Sequence, residues 1–298
     1  MFSDDTQLRL MIFLGVLVLM AVLEALLPRR ARQLSRVSRW STNLFLVLIN
    51  TVALKLLGPV AAIVVADYAM DNNWGLLTLS PIPIPFYVEI IIGIVLLDFA
   101  IYLQHVALHR VPFLWRFHKV HHVDRDLDVT TGIRFHPLEA VMSMLYKCAV
   151  ILLLGPLTIA VVLFEIILNA SAMFNHANLR LPKGMDAALR KLIVTPDFHR
   201  VHHSTIETET NSNYGFFLSI WDYLCKTYIA QPKHQHEGMV IGLGAYQSEK
   251  PANLWWCLRL PFMTPATISS ESAVSRAASS STAGTDSPTK KTNPTSNN

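Results

Sequence analysis

The sequence predicts an all-α, multi-pass membrane helical bundle of about four to five membrane helices, capped on the cytoplasmic side by histidine-lined helices that hold a di-metal site. Three observations carry this. Of 298 residues, 52% are hydrophobic and 15% charged, where a soluble domain carries about 25% charge. The apolar residues fall in long runs, giving a mean hydropathy of +0.36. Ten of the twelve histidines lie between His105 and His203. A net charge of +4 is too small and too localised for a nucleic-acid binder, so no nucleic-acid partner is expected.

Residues 10–27 form the first apolar run, broken only by Glu24. A helix rises 1.5 Å per residue, so about 20 residues cross a ~30 Å hydrocarbon core. The sequence before this run, Met-Phe-Ser-Asp-Asp, lacks the positive region of a signal peptide, which predicts a retained span. Five arginines then fall within eleven residues, Arg29, Arg30, Arg32, Arg36 and Arg39. They read as the positive-inside signal of a short cytoplasmic loop.

A second span is expected over 44–66, with Lys55 and Gly58-Pro59 inside it, followed by an external loop over 67–85 that lacks Lys and Arg. The third span, 86–109, contains Glu89 and Asp98 and ends in the first histidines. The basic stretch 110–134 returns to the cytoplasm. Residues 141–168 are too long and apolar for one soluble helix, and Gly155-Pro156 divides them into a helical hairpin whose arms could pair Lys147 with Glu165. Residues 175–231 are polar and mixed, hence cytoplasmic. From 264 the chain is rich in Ser, Thr, Ala, Asn and Pro and is expected to be disordered. The implied organisation is 1–83, N-terminal spans and external loop; 84–230, catalytic domain; 231–263, a C-terminal segment; and 264–298, a disordered tail.

The three cysteines, Cys148, Cys225 and Cys257, form no C-x-x-C pair, haem attachment site or iron–sulfur spacing. Histidine is the informative residue. His105-x-x-x-His109 closes the third span, and His118-x-x-His121-His122 follows. His136 and His176 stand singly, and His199-x-x-His202-His203 completes the set. Residues three or four apart share a helix face, so each group offers its imidazoles to one side. With histidine at roughly 4% of residues, about 0.02 H-x-x-H-H motifs are expected by chance per chain of this length, and two are far rarer. The triplets and the pair supply eight donors, and His136 and His176 raise this to ten. One tetrahedral zinc takes four ligands, so eight to ten imidazoles imply two metal ions.

His136 and His176 could instead cap helices or stand behind the ligands. His234 and His236 read as solvated. Asp98, Tyr102, His105 and His109 form one helical stripe, which makes Asp98 and Tyr102 candidates to orient a ligating ring. Glu139 and Asn178 are weaker candidates for the same role.

The motifs Asp98-Phe-x-x-Tyr102-x-x-His105-x-x-x-His109, Trp115-x-x-His118-x-x-His121-His122 and Arg134-x-His136-Pro-x-Glu139 are followed by Phe174-x-His176-x-Asn178, His199-x-x-His202-His203, Asn213-Tyr214-Gly215 and Trp221-Asp222. In this order they resemble the fatty acid hydroxylase/sterol desaturase superfamily of integral-membrane, histidine-rich di-iron oxygenases. The chain departs from some members at Ala172, where a further histidine would complete H-x-x-x-H with His176, and at Cys225-Lys226-Thr227, where Phe-Gly-Thr is frequent.

The resemblance implies a metal centre of two Fe ions, with zinc able to take the same site in purified protein, and O₂ as co-substrate. It also implies a membrane lipid substrate (fatty acyl chain, sterol or related lipid) that is hydroxylated or desaturated. The chain has no nucleotide, haem or iron–sulfur motif, so a separate electron donor is expected: a reductase, ferredoxin or small haem protein. A bacterial inner membrane is favoured over the ER, with the active site on the cytoplasmic side. The competing readings are a membrane zinc-dependent hydrolase and a histidine-rich metal transporter.

Overall fold

Glu24, the one charge in the first apolar run, is fully buried. Its carboxylate accepts hydrogen bonds from the backbone N–H of Val129 (2.6 Å) and of Asn178 (2.8 Å). The first helix is thereby tied to the segments that flank the histidine motifs. The structure, a computed structural model, describes residues 2–57 and 61–263, without the side chains of 2–6. The expected tail, 264–298, and the Gly58-Pro59 pair lie outside the described residues.

The described chain is helical, with isolated bridges and no strand. It runs as α1 (Phe2–Leu26), α2 (Arg36–Leu56), α3 (Ala62–Asp71), α4 (Phe86–Arg110), α5 (Pro112–His122), α6 (Pro137–Leu154), α7 (Thr158–His176), α8 (Lys183–Leu189) and α9 (Pro196–His202). The short turns α10 (Glu207–Thr210), α11 (Ile220–Leu224), α12 (Gln235–Gly238) and α13 (Leu254–Arg259) follow. Four described helices are long and apolar enough to cross a membrane: Gln7–Leu26, α4, α6 and α7. The protein is an integral membrane protein.

The expected span over 44–66 is not one helix. α2 begins earlier, at Arg36, and ends at Leu56; α3 is separate and only 10 residues long. α2 buries a polar stripe of Arg39, Thr42, Asn43 and Asn50, which suits that face to holding a polar loop. The arginine run is correspondingly more than a topology signal. Arg39 is fully buried between Asp124 (2.7 Å) and Asp128 (2.5 Å), and Arg134 donates to Asn43 (2.7 Å). Together they fasten segment 124–136 to α2.

The hairpin forms as expected. Gly155 caps α6 in the left-handed conformation (φ 61°), and a Cβ there would lie 2.3 Å from the Trp74 carbonyl oxygen. Lys147 meets Glu165 at 2.7 Å, and Arg9 of α1 joins the same carboxylate. In lipid, helices associate through close packing rather than hydrophobic transfer. Gly93 of α4 packs against Ala160 of α7, and Leu97, Ile101, Ile151, Val161 and Phe164 fill the space between α4, α6 and α7. That packing sets the ends of α4 and α7 side by side.

Candidate metal centre

Four helices deliver the histidines. α4 contributes His105 and His109 from its last two turns, and α7 contributes His176 from its last residue. Proline at the first helical position starts both α5 and α9, where its fixed φ suits the helix and its missing N–H costs nothing. Thr195 caps α9 by accepting the Phe198 N–H.

Nine imidazoles converge in two groups: His105, His109, His118, His122 and His202; and His121, His176, His199 and His203. Within each group one nitrogen per ring lies within 4.8 Å of the others. The groups adjoin, since the His122 and His203 rings stack at 4.5 Å. Each H-x-x-H-H motif is shared between them. In α5 the i, i+4 pair His118/His122 joins the first group and His121 the second. In and just after α9, His199/His203 joins the second and His202 the first.

The Nδ1 atoms of five rings face fixed acceptors: His105 the Tyr214 carbonyl (2.7 Å), His118 the Glu139 carboxylate (2.7 Å) and His121 the Arg134 carbonyl (3.2 Å), with His176 on the Ala172 carbonyl (2.7 Å) and His202 on the Ser212 carbonyl (2.7 Å). A carbonyl oxygen cannot donate, so Nδ1 carries the proton and the Nε2 lone pair is free, which is how ligating histidines are oriented. The Nε2 atoms of His105, His118 and His202 are buried with no hydrogen-bond partner. Those of His121 and His176 face each other at 3.0 Å, and His199 Nε2 lies 3.1 Å from His176 Nε2. Lone pairs directed together in a buried space call for a cation between them.

Burial, and then the neighbouring imidazoles, hold His121, His122, His199 and His203 well below the usual histidine range. Burial pushes His202 down to about 3. All five rings are therefore neutral at pH 7, the form that binds metal. Nitrogen donors in two adjoining sets of five and four fit two borderline transition-metal ions.

The structure does not bring His136 into either group. Its Nδ1 accepts the Leu138 N–H at the start of α6 and its Nε2 meets the Leu258 carbonyl (3.2 Å), so both nitrogens are engaged. Of the candidate orienting residues, Glu139 alone touches a ring of the two groups, that of His118. Asp98 instead accepts from the Leu218 N–H (3.1 Å) and Trp221 Nε1 (2.7 Å); Tyr102 pairs with Thr227 (2.9 Å); and Asn178 brackets Arg30. Their work is indirect. Asp222, pushed up to about 6 by burial, accepts from the N–H groups of Tyr214 (2.8 Å) and Gly215 (2.7 Å). It thus fixes the loop whose carbonyl holds His105. His234 is exposed as expected, but His236 is buried, at 2% exposure. The carbonyls of Arg134, Ala172, Ser212 and Tyr214 carry no side-chain signature, so sequence reasoning could not find them.

Residues 90–227 match the fatty acid hydroxylase family model. The chain is 31% identical over 150 residues to ornithine lipid hydroxylase OlsE of Rhizobium tropici, covering 50% of this chain and 44% of that protein. It is 28% identical over 151 residues to alkylglycerol monooxygenase of Homo sapiens (49% and 31%). It is also 28% identical over 139 residues to very-long-chain aldehyde decarbonylase GL1-6 of Oryza sativa subsp. japonica (44% and 21%). The chain thus spans less than half the length of these relatives. No solved structure matches it. The histidine centre lies within the residues that match the fatty acid hydroxylase model.

Proposed function

We propose that this protein is a membrane di-iron oxygenase that hydroxylates or desaturates a lipid, using O₂ and two electrons from a separate donor. The observation that carries the reading is the pair of adjoining imidazole groups at the ends of apolar helices. Nine nitrogen donors exceed what one hydrolytic zinc takes, and groups at helix ends differ from the midplane sites on broken helices that transporters use. Lipid hydroxylase and monooxygenase names among the relatives point the same way.

His105, His109, His118, His122 and His202 would hold one metal, and His121, His176, His199 and His203 the other. Iron bound there would supply the oxidant for an unactivated C–H bond, which no side chain provides. The protein's own part is orientation and exclusion of water. Fixed Nδ1 acceptors aim the rings, with Glu139 anchoring His118, and burial keeps them neutral. Of the nine histidines only His109 is partly exposed; it sits 4.9 Å from Trp115, so the first group is the one that O₂ and substrate approach. Helices rising from the bilayer beside the centre let an acyl chain or sterol arrive without crossing water. We place the centre at the cytoplasmic rim, in a bacterial inner membrane.

Lipid profiling of cells with and without the gene, grown with and without O₂, tests the reading. An O₂-dependent hydroxylated or unsaturated lipid supports it; a product that forms equally without O₂ refutes it.

A further inference from the structure

A cavity of about 830 Å³, lined by none of the nine clustered histidines, lies beside the ends of α1 and α7. Leu27, the residue after α1, lines it, as do residues 180–183 just beyond α7. These positions follow directly on membrane-crossing helices, so the cavity lies at the level of the lipid headgroups. On α8 the apolar Met185 is 51% exposed, which suits a surface helix lying at that boundary.

Four cations line the cavity: Arg29, Arg180, Lys183 and Arg190. The three acids in its wall are already engaged. Asp186 meets Arg190 and Thr195, Asp197 meets Arg29 and Arg200, and Glu237 meets Arg29 and Arg180. Lys183 forms no ion pair among the described residues. Two buried donor groups are left over. Arg190, 8% exposed, has an Nε with no hydrogen-bond partner. His236, 2% exposed, makes no hydrogen bond from either nitrogen, its Nε2 standing 3.6 Å from Asp197. Buried donors without acceptors are costly. Cations at the mouth and unused N–H groups inside match a ligand that is anionic and rich in acceptor oxygens.

We propose that this cavity binds the phosphate of a membrane phospholipid headgroup. Arg180 and Lys183 attract the charge at the mouth, while Arg190 and His236 donate to the phosphate oxygens within. The site is separate from the metal centre and does not depend on the chemistry assigned there.

The test is native mass spectrometry of the full-length protein in detergent, with phosphatidylglycerol and an acyl-matched, phosphate-free glycolipid as probes. Phosphatidylglycerol is expected to stay bound and the glycolipid to dissociate. The exposed double substitution Arg180→Glu/Lys183→Glu should weaken phosphatidylglycerol binding at least about tenfold, since each basic side chain near an anionic surface contributes severalfold. Lys183→Glu alone serves if the double variant does not fold. Equal retention of both lipids, or binding that folded variants leave unchanged, overturns the proposal. Displacement by inorganic phosphate regardless of acyl chain also overturns it, by assigning the cavity to a soluble phosphate.

Discussion

His121 and His176, 55 residues apart in sequence, present their Nε2 atoms to each other at 3.0 Å while each Nδ1 is held by a backbone carbonyl. A cation between them relieves that opposition. His121→Ala is therefore expected to abolish turnover and lower bound metal, and His202→Ala to do the same from the other group. His234→Ala, at an exposed position, should change neither. Metal analysis and product formation on the three purified variants check this.

Glu139 and Asp98 separate under the same assay. Glu139 orients a ligand ring, so Glu139→Gln should weaken metal retention by roughly 10- to 100-fold. Asp98 binds Trp221 and Leu218 rather than a histidine, so Asp98→Asn should lower thermal stability and leave metal affinity within about twofold. Chelator titration of both variants distinguishes the two roles.

His136 acts as a helix cap. His136→Ala should cost about 1 kcal/mol of stability, the usual value of an N-cap, while His136→Asn recovers much of it because Asn caps well. Both should keep the full metal content. A fall in metal content in His136→Asn would return His136 to the ligands.

Arg39 between Asp124 and Asp128 forms a buried ion network. Removing the cation strands two carboxylates, so Arg39→Met should destabilise by roughly 3–5 kcal/mol. Burial alone would raise the Asp124 carboxyl, but Arg39 overrides it and holds the group down from 3.8 to about 2. A depressed folded-state value stabilises the protein above the unfolded value. That contribution, about 2 kcal/mol, is full above pH ~4 and is lost as pH falls toward 2. Acid-unfolding curves should show this step in the wild type, and Arg39→Met should flatten it.

The histidine spacing made most of the centre legible, because helix periodicity turns i, i+3, i+4 into a shared face. What it could not show was that each triplet divides between the two imidazole groups, an outcome of how α5 and α9 pack. The asymmetry of five donors against four is foreshadowed by Ala172, which stands one turn before His176 where His105 stands before His109. Asp98 misled because stripe geometry places it on the histidine face, while the loop carrying Trp221 reaches it first. The second expected span failed because the helix there starts earlier, at Arg36, and ends at Leu56, so the expected bounds missed most of its buried polar stripe, Arg39, Thr42 and Asn43. The hairpin was legible because Gly155-Pro156 leaves the chain few alternatives.

Metal stoichiometry of protein purified anaerobically tests the central claim most directly. Two ions per chain are expected in the wild type, falling to about one in His199→Ala, whose loss depletes only the second group. A single ion in the wild type, or none after reconstitution with Fe(II), would contradict a paired centre.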